Sequence, residues 1–399
     1  MKPETSPQNP TRFQTQDLRE WLRVTEELGE LKHVKGAHWD QELGAITEIN
    51  NRRRGPCLLF DEITDYPPGY RLVTGTTGSP ARLAGLLGFS TDLSNAGLVQ
   101  ALRGKPQQWE TLAGDFPPET VQSGPILENI KSGKEINLLE FPVPKWHQQD
   151  GGRFIGTGSA VVTRDWDSDW INLGAYRMMV HDQRSCALNM ALGKHGRLQI
   201  ERYFQEGKPF PVIASMGHHP LLFLFAGLEV AYGLSEYNYV GAIQGEPVQV
   251  VRGEVTGLPM PAYSELALEG WCHPGNYKME GPLGEFHGYY SGSEKAAPVL
   301  EVERIYHRND PIILGTPPGR PPHDYSYSKT VIRSALLHEA LEKAGVPGVV
   351  SCWADEVGGA RMLLVVSIKQ AYQGHARQAG LLACQCHVGA YLGRYVIVV

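Results

Sequence analysis

Between residues 15 and 31 the apolar positions Leu18, Trp21, Leu22, Leu28 and Leu31 recur close to every 3.6 residues, which predicts an amphipathic helix. The run GPCLLF at 55–60 is apolar and opens on Gly-Pro, so it predicts a buried strand. LVTGTTGSPARLAGLLG at 72–88 reads as strand, turn and helix; it lacks the GK[ST] ending of a phosphate-cradling loop. Together these pieces predict a small α/β domain over residues 1–125.

From residue 126 short strand-like runs dominate: GTGSAVVTR, WINLGAYRMMVH, PFPVIASMG, PVQVVRGEV and APVLEVERIYH. Gly, Pro, Asn and Asp punctuate them, and helical periodicity shows only in HGRLQIERYFQEG and around Phe223–Tyr232. Many short strands with turn signals predict a β-barrel or sandwich over 126–314. The Pro-rich segment GTPPGRPPHDY at 315–325 reads as a linker. Beyond it, 328–345 predicts a long helix ending at Gly, VVSCWADEVGGARMLLVVSIK two strands about a Gly-Gly turn, and 375–386 another helix. That makes a third, α/β unit over 315–399 and an α+β chain overall. The sequence stops inside an apolar strand, GRYVIVV, without a turn or polar tail, so this last domain is expected to be incomplete and the natural protein to continue.

Composition narrows the functional classes. With 37 basic and 43 acidic residues among 399 the chain has no basic excess for nucleic acid. No run approaches the roughly 18–20 apolar residues that span a bilayer. Met1 to Arg12 is polar, without a signal-peptide core, and is expected to be a flexible lead-in; cytoplasmic residence is the default. The six cysteines are scattered, as suits a reducing compartment, and Cys384, Cys386 and His387 have the wrong spacing for a zinc site.

Four groups of residues carry possible chemistry. Glu280 and Glu285, in MEGPLGEFHGYYSG, are five residues apart. A helix would set them about 140° apart and a strand on opposite faces, but Gly-Pro-Leu-Gly between them predicts a tight loop. A loop can bring two carboxylates to one site, where one serves as a general acid; two solvated surface glutamates remain the bland alternative. Asn172 and Arg177, in WINLGAYRMMVHD, are also five apart, and a bulge at Gly174-Ala175 would return them to one face. Arg177 could then pair with Glu280 or Glu285 and hold a substrate carboxylate; an edge-strand arginine in water is the alternative. His195 in LGKHGR and Glu236 in LSEYNY are singly ordinary. With Asn172 they offer a mixed N/O donor set that suits Mn²⁺ or Mg²⁺ better than zinc. His218-His219, Cys272-His273, Trp271 and Tyr289-Tyr290 read as structural.

These elements stand in a recognisable order. From DLREWL through EFPVPKWHQQDGGRFIGTG, WINLGAYRM, GKHG, LSEYNYVGAIQGEPVQVV and EGPLGEFHGYYSG to the final strands, the sequence resembles the UbiD family of decarboxylases, which use prenylated FMN (prFMN). The resemblance covers essentially the whole chain, and its E-G-P-x-G-E element is specific, the more so with N-x-x-x-x-R about 100 residues before it. It implies an N-terminal α/β domain, a flavin-reductase-like split β-barrel and a C-terminal α/β dimerisation domain. It also implies that Asn172, His195 and Glu236 bind a Mn²⁺ that clamps the flavin phosphate, with a K⁺ nearby. Glu280, Arg177 and Glu285 would form the catalytic network, with Glu285 as proton donor. Backbone from Leu173 through Gly174, Ala175 and Tyr176 to Arg177, with Ser215 and Met216, would line the flavin.

The implied partners are a carboxylic acid, CO₂, a flavin prenyltransferase as cofactor supplier and a second copy of the chain. Substrate candidates are aromatic, heteroaromatic and acrylic acids, and His323, Asp324 and Tyr325 could face them as readily as solvent. Two alternatives stay open. One is a split-barrel oxidoreductase with unmodified FMN, which has no use for the glutamate pair; the other is a non-catalytic assembly subunit, although all six matching positions are intact.

Overall fold

The computed structural model describes residues 15–228, 230–290, 292–390 and 392–399; the lead-in expected at Met1–Arg12 lies outside them. The first helix spans Leu18–Glu27, with Asp17 capping it by accepting from the Glu20 amide at 2.7 Å. Leu18, Trp21 and Leu22 are buried, as the period requires. The helix ends short of the expected residue 31: Gly29 takes φ +71°, and Leu31 opens a strand, Leu31–Lys35. That strand pairs with Cys57–Asp61, which pairs with Arg71–Thr74. The fourth strand of this sheet is Ile312–Leu314, at the far end of the barrel in sequence. The chain thus returns to the N-terminal sheet before entering the last domain.

The central sheet runs in the order Arg153–Phe154, Arg177–Asp182, Ser185–Asn189, Lys295–His307, Leu266–Glu280, Phe210–Met216, Ser159–Arg164, Ile171–Gly174, with neighbours antiparallel. Its connectivity decides its shape. Ile171–Gly174 closes one end of this order while Arg177–Asp182 stands beside the other, and only Ala175 and Tyr176 join them. Three Cα steps reach at most about 11 Å. Six interstrand spacings in a flat sheet would separate the strands by about 29 Å. The sheet must therefore curl until its ends nearly meet, which makes it a split barrel. This also corrects the expected bulge at Gly174-Ala175: WINLGAYRMMVHD is two strands on either side of the split.

Alternation along the strands fills the two faces. Phe210, Val212, Ala214 and Met216 join one core cluster with Val161, Met178 and Leu268. Ile213, Ala160 and Val162 face a second cluster, built with helices from the N-terminal and central regions. One of those helices, Glu236–Gln244, is absent from the periodicity reading; nearly every residue from Glu236 to Ile243 is buried, so it has no polar face to generate a period.

The segment read as a linker is packed. Thr316, His323 and Asp324 are buried, and the helix Asp324–Lys343 begins inside it, with His323 at its N-cap. That helix packs against the strands Val349–Ala354, Leu363–Ile368 and Tyr395–Val398 and the helix His375–Gln385 around a separate small core. Among the described residues no helix is long and apolar enough to cross a membrane.

Candidate active site

A cavity of about 1200 Å³ opens between the barrel and one side of the Asp324–Lys343 helix. Its lining contains Asn172, Leu173, Gly174, Ala175, Tyr176, Arg177, His195, Glu236 and Glu285. A single small-molecule site typically needs roughly 300–1,000 Å³, so this one is large enough for a cofactor and a substrate together.

The donor set is cross-tied at one end. Asn172 is 1% exposed, and its amide nitrogen donates to Thr163 Oγ1 at 3.0 Å and to the Tyr176 hydroxyl at 3.4 Å. Those bonds orient the amide and leave its oxygen for a cation. The same Tyr176 hydroxyl accepts from the Gly196 amide at 2.8 Å, in the first turn of the helix His195–Gln205. A Cβ on Gly174 would lie 2.0 Å from the Tyr176 ring and one on Gly196 would lie 2.6 Å from it, so only glycine fits on either side. The His195 ring stands edge-on to Trp170 at 5.2 Å and to Tyr232 at 5.4 Å. Burial lowers its pKa, with Lys194 acting in the same sense, so the ring is neutral, the form that ligates metal.

Glu236 starts the helix Glu236–Gln244 and accepts from the Leu173 amide at 2.7 Å. A helix N-terminus favours a carboxylate. Burial wins nonetheless, pushing Glu236 up to about 8 against those backbone donors. A carboxylate in that position calls for a cation. Among the described residues no group of three His, Cys, Asp or Glu could hold a metal. Asn172, His195 and Glu236 all line the cavity, and together they offer an amide oxygen, an imidazole and a carboxylate, donor types of the kind a hard divalent ion takes.

At the other end, Arg177 binds both glutamates. Its Nε and Nη2 donate to the two oxygens of Glu280 at 2.6 and 3.0 Å, and its Nη1 donates to Glu285 at 3.2 Å. Asn189, the cross-strand neighbour of Arg177, donates to Glu280 at 2.9 Å. The two carboxylates are not equivalent. Glu280, the last residue of its strand, is fully buried and lies behind the wall; Glu285 lines the cavity with its side chain 32% exposed. Gly281, between them, takes φ +94°, which supplies the turn.

Two expected flavin-lining residues lie elsewhere. Ser215 is buried and bonds Ser264 at 2.7 Å, Met216 is packed in the barrel core, and neither is in the cavity lining. Phe225, Ala226, Gly227 and Leu228 do line the cavity, and Ala226 accepts from the Ala175 amide at 2.9 Å. In the sequence this run, PLLFLFAGL, reads as core; its one local signal is Gly227, where a Cβ would lie 1.4 Å from the Tyr325 hydroxyl. His323 and Tyr325 line the cavity, whereas Asp324 does not.

Models of the three domains of 3-octaprenyl-4-hydroxybenzoate carboxy-lyase match the chain in order: the N-terminal domain over 22–102, the Rift-related domain over 119–321 and the C-terminal domain over 326–399. The phenolic acid decarboxylase of Sedimentibacter hydroxybenzoicus is 32% identical over 396 residues, covering 96% of this chain and 80% of that protein.

The chain belongs to the UbiD family.

The pyrrole-2-carboxylic acid decarboxylase of Pseudomonas aeruginosa is 33% identical over 328 residues, 78% of this chain; the match spans 65% of that relative's length. Solved UbiD-class structures share the fold. The open form of vanillic acid decarboxylase from S. hydroxybenzoicus superposes with a TM-score of 0.85 at 31% identity, covering 96% of this chain and 80% of that one. An evolved dimeric HmfF from Pelotomaculum thermopropionicum in complex with prFMN gives 0.85 at 25% identity, with 96% and 85% covered.

Proposed function

We propose that this UbiD-family protein catalyses reversible, non-oxidative decarboxylation of an aromatic, heteroaromatic or α,β-unsaturated carboxylic acid with prenylated FMN. The observation that carries the reading is the buried Glu280–Arg177 pair reaching through Arg177 Nη1 to a cavity-facing Glu285. The relatives named for pyrrole-2-carboxylic and phenolic acids support the substrate class, and the prFMN-bound HmfF supports the cofactor.

When bound, prenylated FMN supplies the electron sink for loss of CO₂. Asn172, His195 and Glu236 would hold a Mn²⁺, whose charge would help to bind the anionic cofactor. Arg177 orients the substrate carboxylate while its other nitrogens stay fixed on Glu280. Glu285 stands on the cavity side and delivers its proton to the carbon that lost CO₂. In the reverse direction the same carboxylate takes that proton back. We place the protein in the cytoplasm as a homo-oligomer that receives its cofactor from a flavin prenyltransferase.

The test is to produce the protein with a flavin prenyltransferase, release the bound ligand for mass and absorbance measurement, and screen phenolic, pyrrole-type and acrylic acids for CO₂ release. A prenylated-FMN mass with CO₂ released from at least one acid is expected. Ordinary FMN, no CO₂ release after reconstitution, and reduction by NAD(P)H would replace this reading with that of a split-barrel oxidoreductase.

A further inference from the structure

We propose that Asp150 is the positioning residue that fixes Glu285 against Arg177; the proposal rests on the decarboxylase reading of this site. Glu285 is not on a regular element. It follows a four-residue excursion, Gly281 to Gly284, from the end of the Leu266–Glu280 strand, and a segment of that kind holds a carboxylate in one place only if something ties it down.

The tie is the turn that contains Asp150, more than 130 residues earlier in the chain. Its side chain is fully buried. Asp150 Oδ1 accepts from the Gly284 amide, the residue next to Glu285, at 3.1 Å, and from the Tyr290 hydroxyl at 3.2 Å. Oδ2 accepts from the His147 amide at 2.8 Å, which fixes the carboxylate within its own turn. Two further bonds join the turn to the same loop: Gly151 N to the Pro282 carbonyl at 2.8 Å and Gln149 N to the Tyr290 hydroxyl at 3.1 Å. Turn and loop are in direct backbone contact, since a Cβ on Gly151 would fall 1.9 Å from the Gly281 carbonyl oxygen.

The choice of residue follows from this. Three donors converge on one buried group, and an ionised carboxylate is the side chain that only accepts and has lone pairs for all of them. Asp150 is absent from the cavity lining, and none of its hydrogen bonds goes to Arg177 or Glu285. It acts through the Gly284 backbone, which is why it is a positioning residue and not a catalytic one.

The test compares wild type, Asp150→Ala, Asp150→Asn and Tyr290→Phe by hydrogen exchange over residues 281–290, bound-flavin content, and kcat, KM and the pH profile of kcat. Asp150→Ala should speed exchange of the Gly284 segment at least about tenfold while flavin content holds. Its kcat should fall about 100-fold, the scale of a misplacement near 1 Å, with KM changed far less and the kcat–pH profile shifted. Asp150→Asn keeps an oxygen for Gly284 and Tyr290 and should recover most of both losses; Tyr290→Phe should fall between. Unchanged exchange in Asp150→Ala overturns the proposal, and so does faster exchange with kcat and pH profile unaltered. If wild type releases CO₂ from none of the acids, the decarboxylase reading fails separately, and the exchange data still decide whether Asp150 anchors the Glu285 loop.

Discussion

Arg177 holds Glu280 through two parallel hydrogen bonds, Nε at 2.6 Å and Nη2 at 3.0 Å, and only its remaining nitrogen, at 3.2 Å, is spent on Glu285. The buried glutamate is therefore the anchor of the arginine. Arg177→Ala would leave Glu280 as an unpaired buried carboxylate, and breaking such a pair typically costs about 3–5 kcal/mol. Denaturant unfolding should show that loss together with loss of activity. Arg177→Lys should rescue neither fully, because an ammonium cannot reproduce the fork. A lysine variant with wild-type stability and turnover would contradict the two-pronged anchor.

Glu285 gives the complementary case. Its side chain is one-third exposed and makes a single bond to Arg177, so Glu285→Gln should change stability by less than about 1 kcal/mol. Bound flavin should be retained and turnover lost, because the amide has no proton to deliver. Steady-state CO₂ release near the wild-type rate would remove Glu285 from the proton-donor role.

The metal-site expectation is tested by elemental analysis. His195→Ala removes the neutral imidazole held between Trp170 and Tyr232, so purified protein should lose Mn²⁺ and flavin together. Tyr232→Leu leaves all three ligands in place and should weaken metal retention without abolishing it. Full Mn²⁺ occupancy in His195→Ala would exclude the histidine as a ligand.

How much of this could be read from the sequence depends on what each residue leans on. The strands and long helices were legible for two reasons: burial on one face leaves a period, as at Leu18, Trp21 and Leu22, and a strand buried on both faces, such as Phe210–Met216, stands out as a short continuous apolar run. The helix Glu236–Gln244 was not, because it is buried on nearly all sides. The glutamate loop was legible through its Gly-Pro-Leu-Gly spacing, but that Glu280 would be the buried partner and Glu285 the cavity-facing one depends on where the strand ends. The bulge expected at Gly174-Ala175 failed because local alternation carries no information about a sheet that curls. Ser215 and Met216, named by resemblance, do not line the cavity, whereas Ala226 and Gly227 do.

Two adjacent histidines set an acid limit on stability. Burial holds His218 down at about 4; burial, with the neighbouring His218, holds His219 down at about 3. Both pKa values lie below the unfolded value near 6.5, so the unfolded chain binds more protons throughout that window. The contribution of the two histidines is full above pH 6.5 and is lost as pH falls from 6.5 toward 4, at a slope approaching about 1.4 kcal/mol per pH unit for each. Urea unfolding at pH 5 and pH 7 should show a smaller difference for His218→Leu than for wild type. Equal differences would mean that His218 is accessible to protons in the native state.

Gly227 ends the helix Pro220–Ala226 at φ −101°, where any residue is allowed, so its backbone does not demand glycine. The demand comes from Tyr325: a Cβ at 227 would lie 1.4 Å from the tyrosine oxygen and 2.5 Å from Cζ. Tyr325 is in turn packed against Phe223, with ring centres 5.0 Å apart, and carries the Lys329 ammonium 3.8 Å from its ring centre. Gly227→Ala must therefore push the ring into the cavity it lines, at a cost of about 1–3 kcal/mol for overpacking. Tyr325→Phe removes only the nearest atom and should relieve the clash in part, whereas Tyr325→Ala should relieve it nearly all. A double-mutant cycle reads this directly: the cost of Gly227→Ala should shrink by on the order of 1 kcal/mol or more in the Tyr325→Ala background. Strictly additive costs would mean that the tyrosine already has room to move, and that something other than Tyr325 excludes a side chain at position 227.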